Sequence, residues 1–228
     1  MSLLREGTVN GDGCVFRQVF ATRRRCMDQG GVFYGTPVVS DGFLISALNT
    51  DRIVYVPQTT VGMGAGKMTV RTRFRTPAAF SAMTMLVGVW DATGGGSYRW
   101  MVRTTNTGRM DFLVPTNLTD NATYSYQNPG TLVASTEYIV HWVFDGSLAN
   151  PNRSALYING ASTAKSDTAA LPTALTIASR PLCIAGEKTA SSGQAGYIIR
   201  DVCVWGKALS AADVLLDALD TTYATGGP

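Results

Sequence analysis

The chain has 228 residues, of which 45% are hydrophobic and 15% are charged, and its formal net charge is +3. These values exclude intrinsic disorder, which requires high net charge and few apolar residues. No apolar segment approaches the roughly 20 residues of a membrane helix, and the small net charge argues against a nucleic-acid partner. Residues 1–7 lack the apolar region of a secretory signal, so we expect a protein that stays where it is made, or one whose signal has been removed.

The first 35 residues predict an irregular N-terminal arm and not a separate domain. They are rich in Gly and Arg, and they include the run Arg23, Arg24 and Arg25. From residue 36 the pattern changes to short apolar segments separated by turn signals, which is typical of a β-sandwich or barrel. We therefore expect an arm over residues 1–35 and one β-domain over residues 36–228.

The clearest strand is predicted over residues 67–75. Uncharged side chains occupy its even positions, and arginines occupy three of its odd positions, Arg71, Arg73 and Arg75. Alternation with a period of two puts these sets on opposite faces of a strand that has one buried face. The same criteria predict strands over residues 43–45, 52–56, 83–90, 98–104, 110–114, 138–144, 155–158, 182–185 and 197–205.

One helix is predicted near the end of the chain, over residues 210–219. Ser210 can cap it, and Asp213 at the third helical position gives a near capping box. Leu209 and Val214 are placed to form a hydrophobic staple. This helix should dock on the sandwich through the apolar side that begins at Val214.

Several short motifs follow one another in the second half of the chain. They are Leu-Tyr-Ile-Asn-Gly at residues 156–160, Gly-Tyr-Ile-Ile-Arg-Asp-Val at residues 196–202, and Ala-Leu-Ser at residues 208–210 before the predicted helix. In their order and spacing, over residues 36–219, the chain resembles the laminin-G-like, concanavalin-A-like jelly-roll family. The resemblance implies an all-β sandwich of two antiparallel sheets, here with an irregular N-terminal arm and one short C-terminal helix. Members of this family bind glycans, proteins or lipids, and some hydrolyse polysaccharides, so the fold does not choose the function.

Residues that would support catalysis are sparse. Glycoside hydrolysis normally needs two carboxylates across the scissile bond, and none of Glu6, Glu137 and Glu187 has an acidic partner within five residues. His141 is the only histidine and falls in the middle of a predicted strand, and the chain has no G-x-S-x-G elbow. We therefore predict that the chain is not an enzyme.

No cofactor is predicted, and calcium is the one metal with a candidate residue. Family members often hold Ca²⁺ at a sheet edge, and Asp91 at a strand end is the best single residue for it, although one carboxylate is not a site. The four cysteines show no C-x-x-C spacing. Cys183 and Cys203 are expected to be buried free thiols.

The arginines are the most informative polar residues for partner binding. Arginine suits interfaces that present carboxylates or phosphates, and the strand arginines would form a row about 7 Å apart on one face. The alternative is that this face is solvated and binds nothing. We predict a partner surface made by the arm and this strand face, through the following residues: Arg23, Arg24, Arg25, Arg71, Arg73, Arg75, Phe16 and Phe20.

Two functions remain open. The main prediction is a non-enzymatic assembly protein of a phage virion, a capsid decoration or tail protein that is made in the host cytoplasm and binds capsid or tail proteins or copies of itself. The alternative is a carbohydrate-binding, lectin-like module outside the cell or at its surface, which would need exposed aromatic side chains. Four tryptophans could stack on sugars, although their strand positions favour core packing: Trp90, Trp100, Trp142 and Trp205.

Overall fold

The computed structural model describes residues 14–19, 31–40, 43–45, 52–55, 66–91, 97–115, 122–128, 130–175, 181–186 and 196–220. Within these residues the chain forms sixteen strands and one helix. The strands are β1 (Cys14–Val19), β2 (Gly31–Tyr34), β3 (Val38–Ser40), β4 (Phe43–Ile45), β5 (Arg52–Tyr55), β6 (Lys67–Arg75), β7 (Thr84–Asp91), β8 (Ser97–Thr104), β9 (Met110–Pro115), β10 (Ala122–Gln127), β11 (Glu137–Asp145), β12 (Ser154–Ile158), β13 (Ala161–Thr163), β14 (Lys165–Asp167), β15 (Leu182–Ile184) and β16 (Ile198–Trp205). The helix is α1 (Ala211–Leu219).

The strands form two antiparallel sheets. Sheet A has the order β13-β12-β11-β6-β16-β4-β3, and β1 pairs with β16 beside this path. Sheet B has the order β14-β10-β9-β8-β7-β15-β5-β2. Strands that are distant in sequence become neighbours, as where β16 pairs with β6 and β15 pairs with β7. This architecture confirms the predicted all-β, jelly-roll sandwich with a short C-terminal helix.

The main hydrophobic core lies between the two sheets. Strand β6 contributes Met68, Val70 and Phe74, which are at most 1% exposed and alternate along the strand as its sequence pattern predicts. The ring of Phe112 in β9 stacks on Trp142 in β11, with their centroids 5.6 Å apart, and so joins the sheets. Each side chain of this size contributes about 1.5–3 kcal/mol through its burial.

Part of the predicted irregular arm is regular. Strands β1 and β2 fall within residues 1–35 and pair with β16 and β5, respectively. Val15 and Phe16 pack against the core, and the ring of Phe16 meets Tyr55 edge to face at 5.2 Å. The prediction of an arm without regular structure is wrong for these strands, because a few apolar side chains anchor them on the sandwich.

Helix α1 packs on the outer face of sheet A through a second, smaller apolar cluster. The Ser210 hydroxyl accepts a hydrogen bond from the N–H of Asp213, whose carboxylate accepts one from the N–H of Ser210, so a capping box is confirmed. Leu209 and Val214 lie in the same cluster as Trp205 of β16. In the part of the chain that the structure describes, no helical segment has the length and hydropathy of a membrane span.

Candidate functional site

The predicted row of arginines on β6 divides into two environments. Arg71 and Arg73 are only 0% and 6% exposed, whereas Arg75 is exposed and its Nε donates to the carbonyl of Ser135 at 3.2 Å. The prediction of an exposed row of three is wrong, because α1, which comes much later in the sequence, covers the first two. Partner binding by Arg75 and Phe16 stays a prediction, and Phe20 and residues 23–25 lie outside the described residues.

Four buried side chains beneath α1 form what we call the covered cluster: Arg71, His141, Asp201 and Asp217. The Nη2 and Nη1 atoms of Arg71 lie 2.9 Å from Asp201 Oδ1 and 2.5 Å from Asp217 Oδ1. His141 Nε2 lies 2.8 Å from Asp217 Oδ2. All four residues are at most 2% exposed, and the ring of Trp205 lies 5.5 Å from the Arg71 guanidinium. The covered cluster thus attaches α1 to the adjacent strands β11, β6 and β16.

The electrostatics of the covered cluster favour an ionised Asp217 beside a neutral His141. Burial alone would raise the pKa of Asp217, but its hydrogen bond with His141 and the charge of Arg71 hold that pKa below its ordinary value. Burial lowers the pKa of His141 and outweighs the opposing effect of Asp217. His141 is therefore neutral at pH 7, with its proton on Nε2 directed to Asp217. Because these groups are paired and closed off from solvent, their role is to hold the helix.

Arg73 caps the C-terminal end of α1. Its Nη2 and Nη1 atoms donate to the backbone carbonyls of Asp217 at 2.8 Å and Asp220 at 3.1 Å. The last turn of α1 has no basic residue of its own, so Arg73 supplies the positive charge and the donors that a helix C-terminus favours. A residue predicted to bind a partner therefore positions the end of the helix.

A β-bulge in β16 turns two consecutive side chains to the outer face of sheet A. The register with β6 shifts between Ile199 and Asp201, so Ile199 and Val202 stay in the core while Arg200 and Asp201 between them lie outside it. Asp201 joins the covered cluster, whereas Arg200 forms an ion pair with Glu137 at the start of β11. Bulges commonly redirect side chains in this way. Here the bulge places Asp201 in the covered cluster and its neighbour Arg200 beside Glu137, near the surface.

Arg200 and Glu137 line an open cavity of about 380 Å³ at the C-terminal end of α1, which we call the helix-end pocket. Their side chains are 29% and 55% exposed, so both are accessible to a ligand. The other lining residues are contributed by strands β6 and β11, the β12–β13 turn and the end of α1: Arg73, Phe74, Tyr138, Ile139, Asn159, Ala218 and Asp220.

Asn159 is held in place by the turn in which it lies. It adopts a positive φ of 52°, which Asn tolerates better than most residues, and its Oδ1 accepts a hydrogen bond from the N–H of Ile139 at 2.9 Å. The pocket thus combines two carboxylates, guanidinium groups and an amide with the apolar surfaces of Ile139 and Ala218. Such a combination can bind a ring that has hydroxyl groups on its edge and C–H groups on its face.

A second polar cluster lies on the outer face of sheet B. The Asp111 carboxylate accepts hydrogen bonds from Arg103 at 3.2 Å and Arg109 at 3.4 Å, and the Arg109 guanidinium lies 4.4 Å from the centre of the Tyr126 ring. Burial raises the pKa of Asp111 and outweighs the two arginines. Because Asp111 is only 1% exposed, unlike Glu137, its carboxylate is not accessible to a ligand. The cluster joins β8, β9 and β10, and we assign it no ligand.

The other candidates from the sequence fall in several places. Trp100, Trp142 and Trp205 are at most 2% exposed and pack in the interior, as their strand positions predict. Cys183 and Cys203 are buried free thiols in the structure. The side chains of Trp90 and Asp91 are not among those described. Among the described residues, no group of three or more His, Cys, Asp or Glu could hold a metal ion. The absence of a cofactor stays a prediction, and Asp91 stays an untested calcium candidate.

Sequence reasoning missed most of the pocket. Arg200, Asn159 and Asp220 were not predicted as site residues, and they come from segments far apart in the chain. One local signal was available: Arg200 and Asp201 are two consecutive charged residues within an otherwise apolar strand, which is typical of a bulge. Nothing local indicates that Asn159 and Asp220 lie beside them.

A family model described as the concanavalin A-like lectin/glucanases superfamily matches residues 48–215. A comparison with curated protein sequences finds no match.

Solved structures with this fold include toxin domains and enzymes. The receptor-binding domain of the botulinum neurotoxin C/D mosaic serotype has a TM-score of 0.66 and 10% identity, covering 91% of this chain and 51% of that one. The binding domain of botulinum neurotoxin serotype G has a TM-score of 0.61 and 12% identity, covering 90% and 50%. Trypanosoma rangeli sialidase in complex with sialic acid has a TM-score of 0.61 and 11% identity, covering 92% and 33%. The chain thus spans about half of each toxin domain and a third of the sialidase, and these identities show the fold alone.

The sialidase structures correct the prediction that the chain is not an enzyme. Sialidases are enzymes, and three of their structures share this fold over 92% of the chain, at 10–12% identity. The prediction rests on the absence of a second acidic residue within five positions of any glutamate in the sequence. That criterion considers only neighbours in the sequence, so it does not detect acidic residues such as Glu137 and Asp220, which are distant in sequence but line one pocket.

Proposed function

We propose that this chain, which belongs to the concanavalin A-like lectin/glucanases superfamily, is a carbohydrate-binding domain whose site is the helix-end pocket. The observation that carries the proposal is an open cavity in which Glu137, Arg200 and Asn159 meet beside apolar surface. The similar folds of a toxin receptor-binding domain and of a sialidase bound to sialic acid add support. These findings favour the lectin-like alternative over the virion assembly role that was our main prediction.

The chemistry of the pocket suits the end of a glycan. Its volume of about 380 Å³ lies within the range of small-ligand sites. The Glu137 carboxylate would accept hydrogen bonds from adjacent sugar hydroxyls, and Arg200 would donate to hydroxyl or ring oxygens. Ile139 and Ala218 would meet the C–H face of the ring. Because Glu137 and Arg200 are already paired, their side chains are held in place before the ligand binds, which reduces the entropic cost of binding.

A glycan array tests this proposal. The labelled wild-type chain is applied to immobilised oligosaccharides of varied composition, beside the variants Arg200→Ala and Lys67→Ala. Lys67 is a matched control, because it forms an exposed ion pair with Asp145 at 2.9 Å at the opposite end of the β6–β11 pair. We expect binding to glycans that share a terminal unit, lost in Arg200→Ala and kept in Lys67→Ala. Binding to no glycan, or equal binding by both variants, would contradict the proposal.

Protein assembly is the second candidate function, and one observation favours it. Leu215, Leu216 and Leu219 of α1 are 47%, 61% and 66% exposed, and exposed apolar side chains that lie together often mark protein contacts. We propose a second copy of the chain as the partner. Sedimentation velocity should then show a larger species whose amount falls in Leu216→Lys; a single monomeric species at every concentration tested would refute this assembly.

A virion location is a separate proposal that self-association alone would not establish. It would be supported by the chain co-purifying with phage particles that have been washed at high salt. Its absence from such particles would leave the extracellular or cell-surface location that the carbohydrate-binding role favours.

A further inference from the structure

Two cysteines on neighbouring strands bring their sulfur atoms into contact. Cys14 begins β1, Cys203 lies in β16, and their Sγ atoms are 2.9 Å apart although both are free thiols in the structure. Cys14 is opposite Trp205, so Cys203 is its diagonal neighbour, and a register shift between Cys14 and Phe16 distorts the strand there. We propose that Cys14 and Cys203 are an oxidation site, at which the two thiols become a disulfide that fixes β1 to sheet A.

The two thiols differ in access and in acidity. Cys14 is partly exposed, whereas Cys203 is 0% exposed. The hydrogen bond with Cys203 lowers the pKa of Cys14, and the nearby charges of Arg71 and Arg17 act in the same direction against the effect of burial. Burial raises the pKa of Cys203. Because the thiolate is the reactive form, Cys14 is the nucleophile that meets an oxidant from solvent, and Cys203 is the resolving thiol.

The reaction needs a low-molecular-weight disulfide, such as oxidised glutathione, as its oxidant. The Cys14 thiolate attacks one sulfur of this disulfide, forms a mixed disulfide and releases one glutathione thiolate. That thiolate takes up the proton of Cys203, whose sulfur then attacks the sulfur of Cys14 and releases the second glutathione as a thiolate. The two protein thiols lose two electrons, and the external disulfide gains them as it becomes two thiols.

The disulfide would strengthen the attachment of β1 to sheet A. In the described part of the chain, β1 is bonded to the sheet through its ladder with β16, and Cys14 lies at the end of that ladder. A covalent bond there would prevent β1 from separating at its first residue. It would also close a loop that contains most of the chain, which restricts the unfolded state and raises the midpoint of thermal unfolding by about 5 °C or more.

The experiment is thiol counting on the folded, full-length chain. Samples equilibrated in buffers of rising ratio of oxidised to reduced glutathione are quenched with acid, unfolded and alkylated, and then measured by intact mass and peptide mapping. We expect two fewer alkylated cysteines at the oxidising end and a peptide that joins Cys14 to Cys203. The same samples should show the higher unfolding midpoint, and added reductant should reverse it.

Three single substitutions serve as tests and controls. Cys14→Ser should abolish both the crosslink and the change in midpoint; it is the decisive variant because Cys14 is partly exposed, whereas replacing buried Cys203 also disturbs packing. Cys183→Ser, in sheet B, and Cys26→Ser should leave the Cys14–Cys203 peptide intact. Four alkylated cysteines under oxidising conditions that crosslink a reference protein, or a crosslink between another pair, would overturn the proposal.

Discussion

On the outer face of sheet A, the covered cluster and the helix-end pocket present charged side chains in opposite environments. Beneath α1, Arg71 pairs with Asp201 at 2.9 Å and with Asp217 of the helix itself at 2.5 Å. Arg200 and Glu137 lie beyond the end of the same helix, where they pair in contact with solvent. The same residue types on adjacent strands therefore hold structure in one region and remain available to a ligand in the other. The position of α1 makes the difference.

The largest expected effect is on stability, from a change in the covered cluster. Asp217→Ala leaves Arg71 buried without one of its two carboxylates and removes the partner of His141, which should lower the free energy of unfolding by about 3–5 kcal/mol. Asp213→Ala, one turn earlier on α1, removes only the carboxylate half of the capping box and should cost about 1 kcal/mol. Urea unfolding measures both, and equal losses in the two variants would show that the buried network adds nothing beyond the cap.

The next effect is a dependence of stability on pH. The pKa of His141 in the folded chain lies below its ordinary value of 6.5, so the unfolded chain takes up this proton first as the pH falls. The free energy of unfolding should therefore decrease below about pH 6.5, by at most about 1.4 kcal/mol for each pH unit. His141→Gln keeps a donor for Asp217 but does not titrate, so its stability should change less between pH 7 and pH 5. If the free energy of unfolding changed equally with pH in the wild type and in His141→Gln, His141 would not be the group responsible for the pH dependence.

The smallest expected effect on stability comes from the helix-end pocket. Glu137→Gln weakens an ion pair whose side chains are 55% and 29% exposed, and such pairs contribute about 0–1 kcal/mol. Its unfolding curve should resemble those of the wild type and of Lys67→Ala. A loss comparable to that of Asp217→Ala would mean that the pocket residues also hold the fold together and are not reserved for a ligand.

The sequence predicts the positions of most strands and of the helix better than it predicts which strand side chains the helix buries. Strand β6 was predicted with its observed bounds, because alternating side chains in residues 67–75 report local geometry directly. The three-residue strands β3, β13 and β14 are missing from the predicted set, because so few residues cannot establish an alternating pattern. Strand β10 is also missing from it, although its tyrosines alternate with polar residues. Charged side chains usually face solvent, and this expectation holds for Arg75 of β6 but is wrong for Arg71 and Arg73.

One weak signal for the covered cluster was present in the sequence. Asp217 follows Val214 by three residues, so a carboxylate shares the buried face of the predicted helix and needs a partner there. The sequence does not indicate that the partners are Arg71 and His141, because those contacts depend on where α1 docks. The helix-end pocket is harder still to predict from the sequence, because its residues come together only when both sheet A and α1 have formed.

The central claim is that the helix-end pocket binds carbohydrate, and calorimetric titration tests it most directly. The glycan selected on the array is titrated into the wild-type chain, Glu137→Gln, Arg200→Ala and Lys67→Ala at one pH and salt concentration. We expect saturable binding to the wild type and to Lys67→Ala. The affinity should be at least about tenfold weaker in each pocket variant, because a charged hydrogen-bonding group is lost. Equal affinities in all four proteins would place the glycan elsewhere on the molecule and contradict the claim.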